Sequence, residues 1–215
     1  MTDDGATLVA VLRSVCNEVR RQQQYLCDLD AVVGDGDHGL TMTRCAQAIE
    51  GRVDDAPDQS VAEILEDVGR AVARSAGGAT GPLLGTAFVA AGRALDGAGP
   101  DDPGRIAAML EAAVLAIRER GKANVGDRTM LDALHPASVA ARRAAADGSD
   151  VAGVVEAAAR GADEGARATA NMVARAGRSV RMGERALGHP DPGAVSIAIM
   201  LRAAADGLGA SRRNE

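Results

Sequence analysis

The stretch VAEILEDVGRAVARS, residues 61–75, decides the fold class of this chain. Its apolar residues recur at three- and four-residue steps, which places them on one face of a helix: Val61, Ile64, Leu65, Val68 and Val72. The preceding residues 54–60, DDAPDQS, supply the Pro, Asp and Ser that are typical of a loop and a helix N-cap. The stretch therefore predicts an amphipathic helix packed against a core.

The same pattern recurs along the chain. Residues 8–19 and 106–117 carry similar apolar stripes, and the loop-like segments DGAGPDDPG (96–104) and ADGSDVAG (146–153) precede further periodic runs. The predicted helices are 6–27, 38–52, 60–76, 81–96, 103–120, 130–146, 150–175 and 192–208. Because short loops make neighbouring helices antiparallel, we predict an all-α bundle or barrel whose loops gather at two opposite ends. A single domain over residues 1–215 is expected.

Composition excludes several classes of function. The net charge of -6 leaves no basic surface for nucleic acid. No apolar run approaches the roughly 20 residues of a membrane span, and the acidic N-terminus is unlike a signal peptide, so we expect a cytoplasmic protein without a membrane partner. Cys16, Cys27 and Cys45 lack CxxC spacing, which favours reduced, mostly buried thiols.

The candidate site begins with LDAVVGDGDHGLTM, residues 29–42, where Asp30, Asp35 and Asp37 crowd together. Such carboxylates repel one another unless a cation lies between them, and oxygen ligands favour Mg²⁺, Ca²⁺ or Mn²⁺. An EF-hand is excluded because Ala46 stands where its last ligand, a glutamate, is needed. A phosphatase of the aspartyl-nucleophile kind is disfavoured because Gly39 follows the motif. A structural alternative is that the aspartates only cap helix 38–52.

Three further glycine-bounded segments lie at predicted helix ends: SAGGATGPLLGTAF (75–88), RGKANVGDRTMLDALHPA (120–137) and RMGERALGHPDPGAVS (181–196). Each alone is more typical of a capped loop or of close helix packing than of a phosphate site, and none ends in the GK[ST] of a P-loop. Of the histidines, His135 is expected to be structural, whereas His38 adjoins Asp37.

Together and in this order, the four segments resemble the L subunit of bacterial dihydroxyacetone kinases over nearly the entire chain. The resemblance implies an eight-helix antiparallel barrel with a nucleotide at one end, held through two Mg²⁺ ions. It implies that Asp30, Asp35 and Asp37 are the metal ligands. The nucleotide contacts that it implies are His38, Gly39, Leu40, Thr41, Ala79, Thr80, Gly121, Met130, Arg178, Asp191, Pro192 and Gly193.

The resemblance also implies an activity and partners. The chain would pass a phosphoryl group from tightly bound ADP, rephosphorylated in place, or from exchangeable ATP, to dihydroxyacetone held on a separate K subunit. A stand-alone L chain favours the first source, which needs a phosphohistidine carrier (M subunit) of the phosphotransferase system. No nucleophile from this chain is required, because phosphoryl transfer needs mainly positioning and charge neutralisation.

Two alternatives stay open. One is a related kinase half, such as an ATP-dependent one for another ketose with four carbons, or one that acts on a fatty acid through a different carrier protein. The other is a nucleotide-binding regulatory module that reports to a transcription regulator. Two departures from the family pattern are small. Thr80 stands where Ser is frequent, which keeps the hydroxyl, and Arg181-Met182 replaces an aromatic-aliphatic pair, which bears on local loop packing and partner choice.

Overall fold

The computed structural model describes residues 3–54, 59–95, 99 and 101–211. In this part of the chain the structure is all-α, as predicted. The α-helices are α1 (Asp3–Arg21), α2 (Gln23–Val33), α3 (His38–Val53), α4 (Val61–Ser75), α5 (Thr80–Arg93), α6 (Gly104–Gly121), α7 (Leu131–Ala146), α8 (Val151–Ala168) and α9 (Pro192–Ser211). Two 3₁₀ segments, Thr169–Asn171 and Arg178–Ala186, lie between α8 and α9.

Eight of the helices form a closed ring. Each of α3 to α8 packs against the next helix along the chain, and α9 packs back against α1, which contacts α3 on its other side. Neighbours run antiparallel: on α4 and α5, Gly69 lies opposite Gly85 and Ala62 lies opposite Gly92. The predicted eight-helix antiparallel barrel is therefore confirmed, and α2 lies outside the ring against α3 and α9.

Local sequence signals explain where several helices start and stop. Ser60 and Glu63 form a capping box at the start of α4, where each side chain accepts a hydrogen bond from the other's backbone N–H. Asp150 caps α8 by accepting a hydrogen bond from the N–H of Gly153 at 2.8 Å. Helix α6 ends where Lys122 adopts a left-handed conformation with φ 51°.

Two predicted boundaries are wrong. The helix expected over 6–27 is instead α1 and α2, which meet at Gln22, and α2 runs on to Val33, so Asp30 lies on a helix and not in the loop. The helix expected over 150–175 ends at Ala168, and the 3₁₀ segment Arg178–Ala186 was not predicted.

The core consists mainly of Val, Leu, Ile and Ala from the inward faces of the ring. Four of the five residues in the predicted stripe of α4 are buried, namely Ile64, Leu65, Val68 and Val72, and Val61 at the start of the helix is half-buried. Over Pro192–Ala210, α9 is long and apolar enough to cross a membrane by length and composition alone, although the sequence was expected to hold no such run. In the barrel this helix contributes Ala194, Ile197 and Ala203 to the buried core.

The barrel has two ends of different character. We call the end formed by residues 34–37, 76–79, 122–130 and 169–191 the site end, because the four glycine-bounded segments of the sequence meet there. The opposite, far end opens on a cavity of about 700 Å³. Its walls are almost entirely apolar and include Leu8, Leu12, Leu65, Phe88, Ile106, Met109 and Leu134.

Candidate metal and nucleotide site

The three aspartates of the first motif come together at the site end. Each offers a carboxylate oxygen within 4.8 Å of those of the other two, a spacing suited to a divalent cation bound by oxygen ligands. Asp35 and Asp37 flank Gly36, whose φ of +76° is a conformation that side chains disfavour. This turn aims both carboxylates at Asp30 on the last turn of α2.

Asp30 is the buried member of the cluster. Its Oδ2 accepts hydrogen bonds from the backbone N–H groups of Asp37 at 3.0 Å and His38 at 3.2 Å. These bonds fix the turn between α2 and α3 and explain why the loop is short. Burial raises the pKa of Asp30. The hydrogen bonds from the two N–H groups and the positive charge of Arg178 act in the opposite direction but only partly offset the effect of burial. A cation between the carboxylates would remove that penalty.

Arg178 supplies a positive charge to the same cluster from the 3₁₀ segment between α8 and α9. Its Nη1 donates to Asp35 Oδ1 and, at 3.1 Å, to Asp37 Oδ1. Its Nη2 is 3.5 Å from the position that a Cβ on Gly78 would occupy. Arg178, three residues before the fourth motif, therefore contacts the first motif and lies close to the second, and its guanidinium supplies part of the positive charge that a metal ion would bring.

His38 links the start of α3 to the first turn of α9. Its Nε2 is 2.8 Å from Ser196 Oγ, and both side chains are buried. Burial, and secondarily the charge of Arg178, lowers the pKa of His38 to about 4, so the imidazole is neutral at pH 7. Ser196 was not predicted as a site residue from the sequence. The one feature that could have indicated it is its position one helical turn after Pro192.

The other predicted residues around the start of α3 divide into two groups. Thr41 is buried, whereas Leu40 is 46% exposed and faces solvent. Gly39 lies against α2, since a Cβ there would be 2.0 Å from the carbonyl oxygen of Gln23. The close contact of α2 with α3 thus requires a glycine at this position whatever else it binds.

The second and third motifs supply the neighbouring walls. Ala79 and the buried Thr80 lie at the start of α5, directly after Gly78, whose φ is +73°. The N-terminus of α5 leaves backbone N–H groups free to attract an anion. Gly121 ends α6, where a Cβ would be 3.2 Å from the side chain of Leu83.

The fourth motif forms the start of α9. Asp191 is buried and its Oδ2 accepts a hydrogen bond from the N–H of Ala194 at 2.9 Å, which caps the helix. Burial raises the pKa of Asp191 to about 6. Pro192 is buried beside it, and a Cβ on Gly193 would be 3.6 Å from Met130, which brings the third and fourth motifs into contact.

Two buried residues of the third motif were also missed. Asp132 accepts hydrogen bonds from the N–H groups of Gly126 and, at 2.7 Å, Thr129, and so fixes the loop before α7. Arg128 is 1% exposed and donates to two backbone carbonyls of the fourth segment. The local sequence GDRTMLD, residues 126–132, does not indicate that its arginine points inward; only the fold shows it.

Comparison with known proteins agrees with this geometry. Residues 32–206 match the model of the DAK2 domain family. The chain is 35% identical over 181 residues to the PEP-dependent dihydroxyacetone kinase, ADP-binding subunit DhaL, of Escherichia coli strain K12, covering 84% of this chain and 86% of that protein. It is 34% identical to the corresponding subunit of kinase 1 of Listeria innocua, over 94% of this chain and 96% of that protein.

Longer proteins contain a similar region. The chain is 36% identical to a D-erythrulose kinase of Mycolicibacterium smegmatis, over 98% of this chain but only 37% of that protein. The crystal structure of the dihydroxyacetone kinase of C. freundii in complex with AMP-PNP and Mg²⁺ superposes with a TM-score of 0.72 at 30% identity, over 93% of this chain and 33% of that one. The family match spans most of the chain and the DhaL subunits align over nearly their whole length. This chain therefore belongs to the DAK2 domain family, with the DhaL subunits of dihydroxyacetone kinases among its relatives.

Proposed function

We propose that the chain is the nucleotide-binding, phosphoryl-transferring subunit of a dihydroxyacetone kinase. The observation that carries the proposal is the convergence of Asp30, Asp35 and Asp37 within 4.8 Å at the end of the barrel where all four glycine-bounded motifs meet. The relatives are named as ADP-binding subunits, and a structural relative was crystallised with AMP-PNP and Mg²⁺. Both names agree with the chemistry of an oxygen-only ligand set.

The residues of the site divide the work of holding a nucleotide. Asp30, Asp35 and Asp37 would hold two Mg²⁺ ions, which supply charge neutralisation to the phosphates when bound. The start of α3 (His38, Gly39, Leu40, Thr41) and the start of α5 (Ala79, Thr80) would face the phosphates with helix N-termini. Gly121, Met130, Asp191, Pro192 and Gly193 would form the wall for the base and ribose.

Arg178 has the most direct chemical role among the side chains. It lies against Asp35 and Asp37 and is 43% exposed, so it can move from the carboxylates to a phosphate group without disturbing the core. A guanidinium donates several hydrogen bonds to phosphate oxygens and keeps its charge at any physiological pH. Arg178 would thus orient the terminal phosphate, and the reaction would require no nucleophile from this chain.

The acceptor would be dihydroxyacetone on a separate K subunit, docked at the site end. Exposed large apolar side chains lie around that end: Val32, Leu40, Val125, Val173, Val180 and Leu187. Such an apolar rim around a charged site suits a protein partner that excludes water during transfer. The naming of the DhaL relatives as PEP-dependent supports a bound ADP that is rephosphorylated by a phosphohistidine carrier (M subunit). The transfer would take place in the cytoplasm.

A second candidate is a kinase half for another ketose with ATP as donor. It is favoured by the 36% identity to a D-erythrulose kinase over 98% of this chain. The two candidates share the nucleotide site and differ in donor and acceptor. Denaturing the purified protein and identifying the released nucleotide separates them: near-stoichiometric ADP with magnesium indicates the carrier-fed subunit, and an empty site that binds added Mg-ATP reversibly indicates the ATP-dependent half.

Calorimetric titration with Mg-ADP tests the site itself. Asp35→Ala and Asp37→Ala should each weaken binding at least about a hundredfold, because each removes a ligand from the cation. The matched control is Asp28→Ala, which removes an exposed carboxylate from α2 and should leave the affinity unchanged. Helix content measured by circular dichroism should be the same in all variants. Wild-type affinity in both Asp35→Ala and Asp37→Ala would contradict the metal assignment.

A further inference from the structure

Two consecutive residues of the loop between α6 and α7 hold both ends of the segment that carries Arg178. The carbonyl oxygen of Asp127 accepts hydrogen bonds from the N–H groups of Arg175 at 3.0 Å and Ala176 at 3.4 Å. Nη2 of Arg128 donates to the carbonyl oxygens of Ala186 at 3.2 Å and His189 at 2.7 Å. Residues 177–185 therefore leave the barrel and return to it at one place.

Arg128 occupies this place at an evident cost in free energy. It is 1% exposed, the largest fully buried side chain in the described part of the protein, and its backbone has a φ of 62°. Its Nε and Nη1 have no hydrogen-bond partner among the described residues. A buried, incompletely paired charge on a left-handed backbone is destabilising, so the arginine is not explained by core packing.

Apart from the contacts of Arg178 with Asp35 and Asp37, the segment is attached through the buried Ser179 and through a hydrogen bond from the N–H of Gly188 to the carbonyl oxygen of Ala170 at 2.8 Å. Residues 178–186 form two short 3₁₀ turns separated by a kink at Gly183, and they pack against α2. Arg178, Val180, Arg181 and Arg185 are exposed. Gly177 and Gly183 both have positive φ and place no side chain against the barrel. Because a short 3₁₀ helix has little stability of its own, the position of Arg178 over Asp35 and Asp37 depends on where the two ends are held.

The charge of Arg128 also acts on the start of α9. Asp191, which caps that helix, is buried next to Arg128 and Asp132. The positive charge of Arg128 opposes the effect of burial on this carboxylate and favours its ionised form. One side chain thus supports both the segment that carries Arg178 and the turn that carries Asp191, Pro192 and Gly193.

We propose that Arg128 is a positioning residue that holds the 177–189 segment against the barrel and thereby keeps Arg178 over the aspartate cluster. It acts through Arg178 and does not itself contact the nucleotide. This inference rests on the proposed function for its effect on nucleotide binding, whereas the anchoring of the segment stands independently of any ligand.

A double-mutant cycle with two measurements tests the proposal. The variants are Arg128→Met, Arg128→Lys, Arg178→Ala and Arg128→Met combined with Arg178→Ala, with Arg143→Met on the exposed face of α7 as the matched control. Hydrogen exchange of peptides covering 172–190 is measured by mass spectrometry without ligand, and Mg-ADP affinity by calorimetry. The cycle isolates the part of the Arg128 effect that passes through Arg178.

We expect Arg128→Met to speed hydrogen exchange of the backbone N–H groups of Arg175, Ala176 and Gly188. Arg143→Met should leave their exchange unchanged. Mg-ADP affinity should fall about tenfold when Arg178 is present and less than about twofold in the Arg178→Ala background. Arg128→Lys keeps the charge but reaches less far and should fall between wild type and Arg128→Met in both measurements. It also carries the test if Arg128→Met does not fold.

Two results would overturn the proposal: unchanged exchange over 172–190 in both Arg128 variants, or an equal loss of affinity with and without Arg178. The failure of the proposed function looks different. If the wild-type protein binds no adenine nucleotide with Mg²⁺, that function is wrong, and the exchange comparison alone then decides whether Arg128 anchors the segment.

Discussion

The two ends of the barrel are built from the same helices and yet differ in almost every physical property. At the far end, a cavity of about 700 Å³ is lined mostly by apolar side chains, with Asp4, Asp101 and Arg105 as its charged lining residues. At the site end, Asp30 and Asp191 are buried and accept hydrogen bonds from backbone N–H groups, and His38 contacts Ser196. Arg128 is buried there with only Nη2 hydrogen-bonded to backbone carbonyls. The difference shows that the ring of helices supplies rigidity, whereas the loops at one end supply charge.

The ends also differ in how closely their helices approach. At the site end a Cβ on Gly165 of α8 would be 2.1 Å from the carbonyl oxygen of Asp132, and at the far end a Cβ on Gly92 of α5 would be 2.7 Å from that of Ala62. Close packing at the site end also bears on the loop that carries Arg128, because Asp132 accepts hydrogen bonds from backbone N–H groups of that loop.

The largest expected effect tests the difference in helix packing between the two ends. Gly165→Ala should lower the free energy of unfolding by about 3 kcal/mol and Gly92→Ala by about 1–2 kcal/mol, because backbone must move to admit each methyl group. Denaturant titration measures both. Gly51→Ala is the matched control: a Cβ there meets nothing within 4 Å, so the helix should gain about 0.5–1 kcal/mol. Equal losses at Gly165 and Gly92 would show that the two ends are packed alike.

The next effect concerns the buried charge of the site end. The pKa of Asp191 is about 6 in the folded protein against an ordinary 3.8, so its contribution to stability is fully present below pH 3.8 and is lost as pH rises through 6. Asp191→Asn removes this loss and can still cap α9. The free energy of unfolding of the variant relative to wild type should therefore rise by about 2–3 kcal/mol between pH 3.5 and pH 7. A difference that does not change with pH would contradict the raised pKa.

The smallest effect sharpens the contrast from the far end. Ala113→Leu adds apolar volume to the cavity wall and should raise the free energy of unfolding by about 1 kcal/mol. The control is Ala137→Leu on α7, at a fully buried position away from the cavity, which should destabilise by about 2 kcal/mol through overpacking. Ala113→Leu should leave the affinity for Mg-ADP, measured by calorimetry, unchanged. A changed affinity in Ala113→Leu would show that the two ends are coupled.

Much of the fold could be predicted from the sequence because helix signals are local. The apolar stripe of α4 and its Ser60–Glu63 capping box are visible within a single turn or two of chain. The aspartate cluster could be predicted for the same reason, since Asp35, Gly36 and Asp37 are adjacent. The break at Gln22 and the end of α8 could not, because neither carries a Pro or Gly that would mark it.

The sequence by itself determined the all-α class, the eight ring helices and the residues that form the acidic loop, because each depends on interactions between residues a few positions apart. Only the tertiary structure decided that α2 carries Asp30 into the site, that Ser196 contacts His38, and that Arg128 is buried beneath the segment of Arg178. These pairings join residues up to 158 positions apart in the chain. These contacts depend on how the ring of helices closes, and no local sequence pattern predicts them.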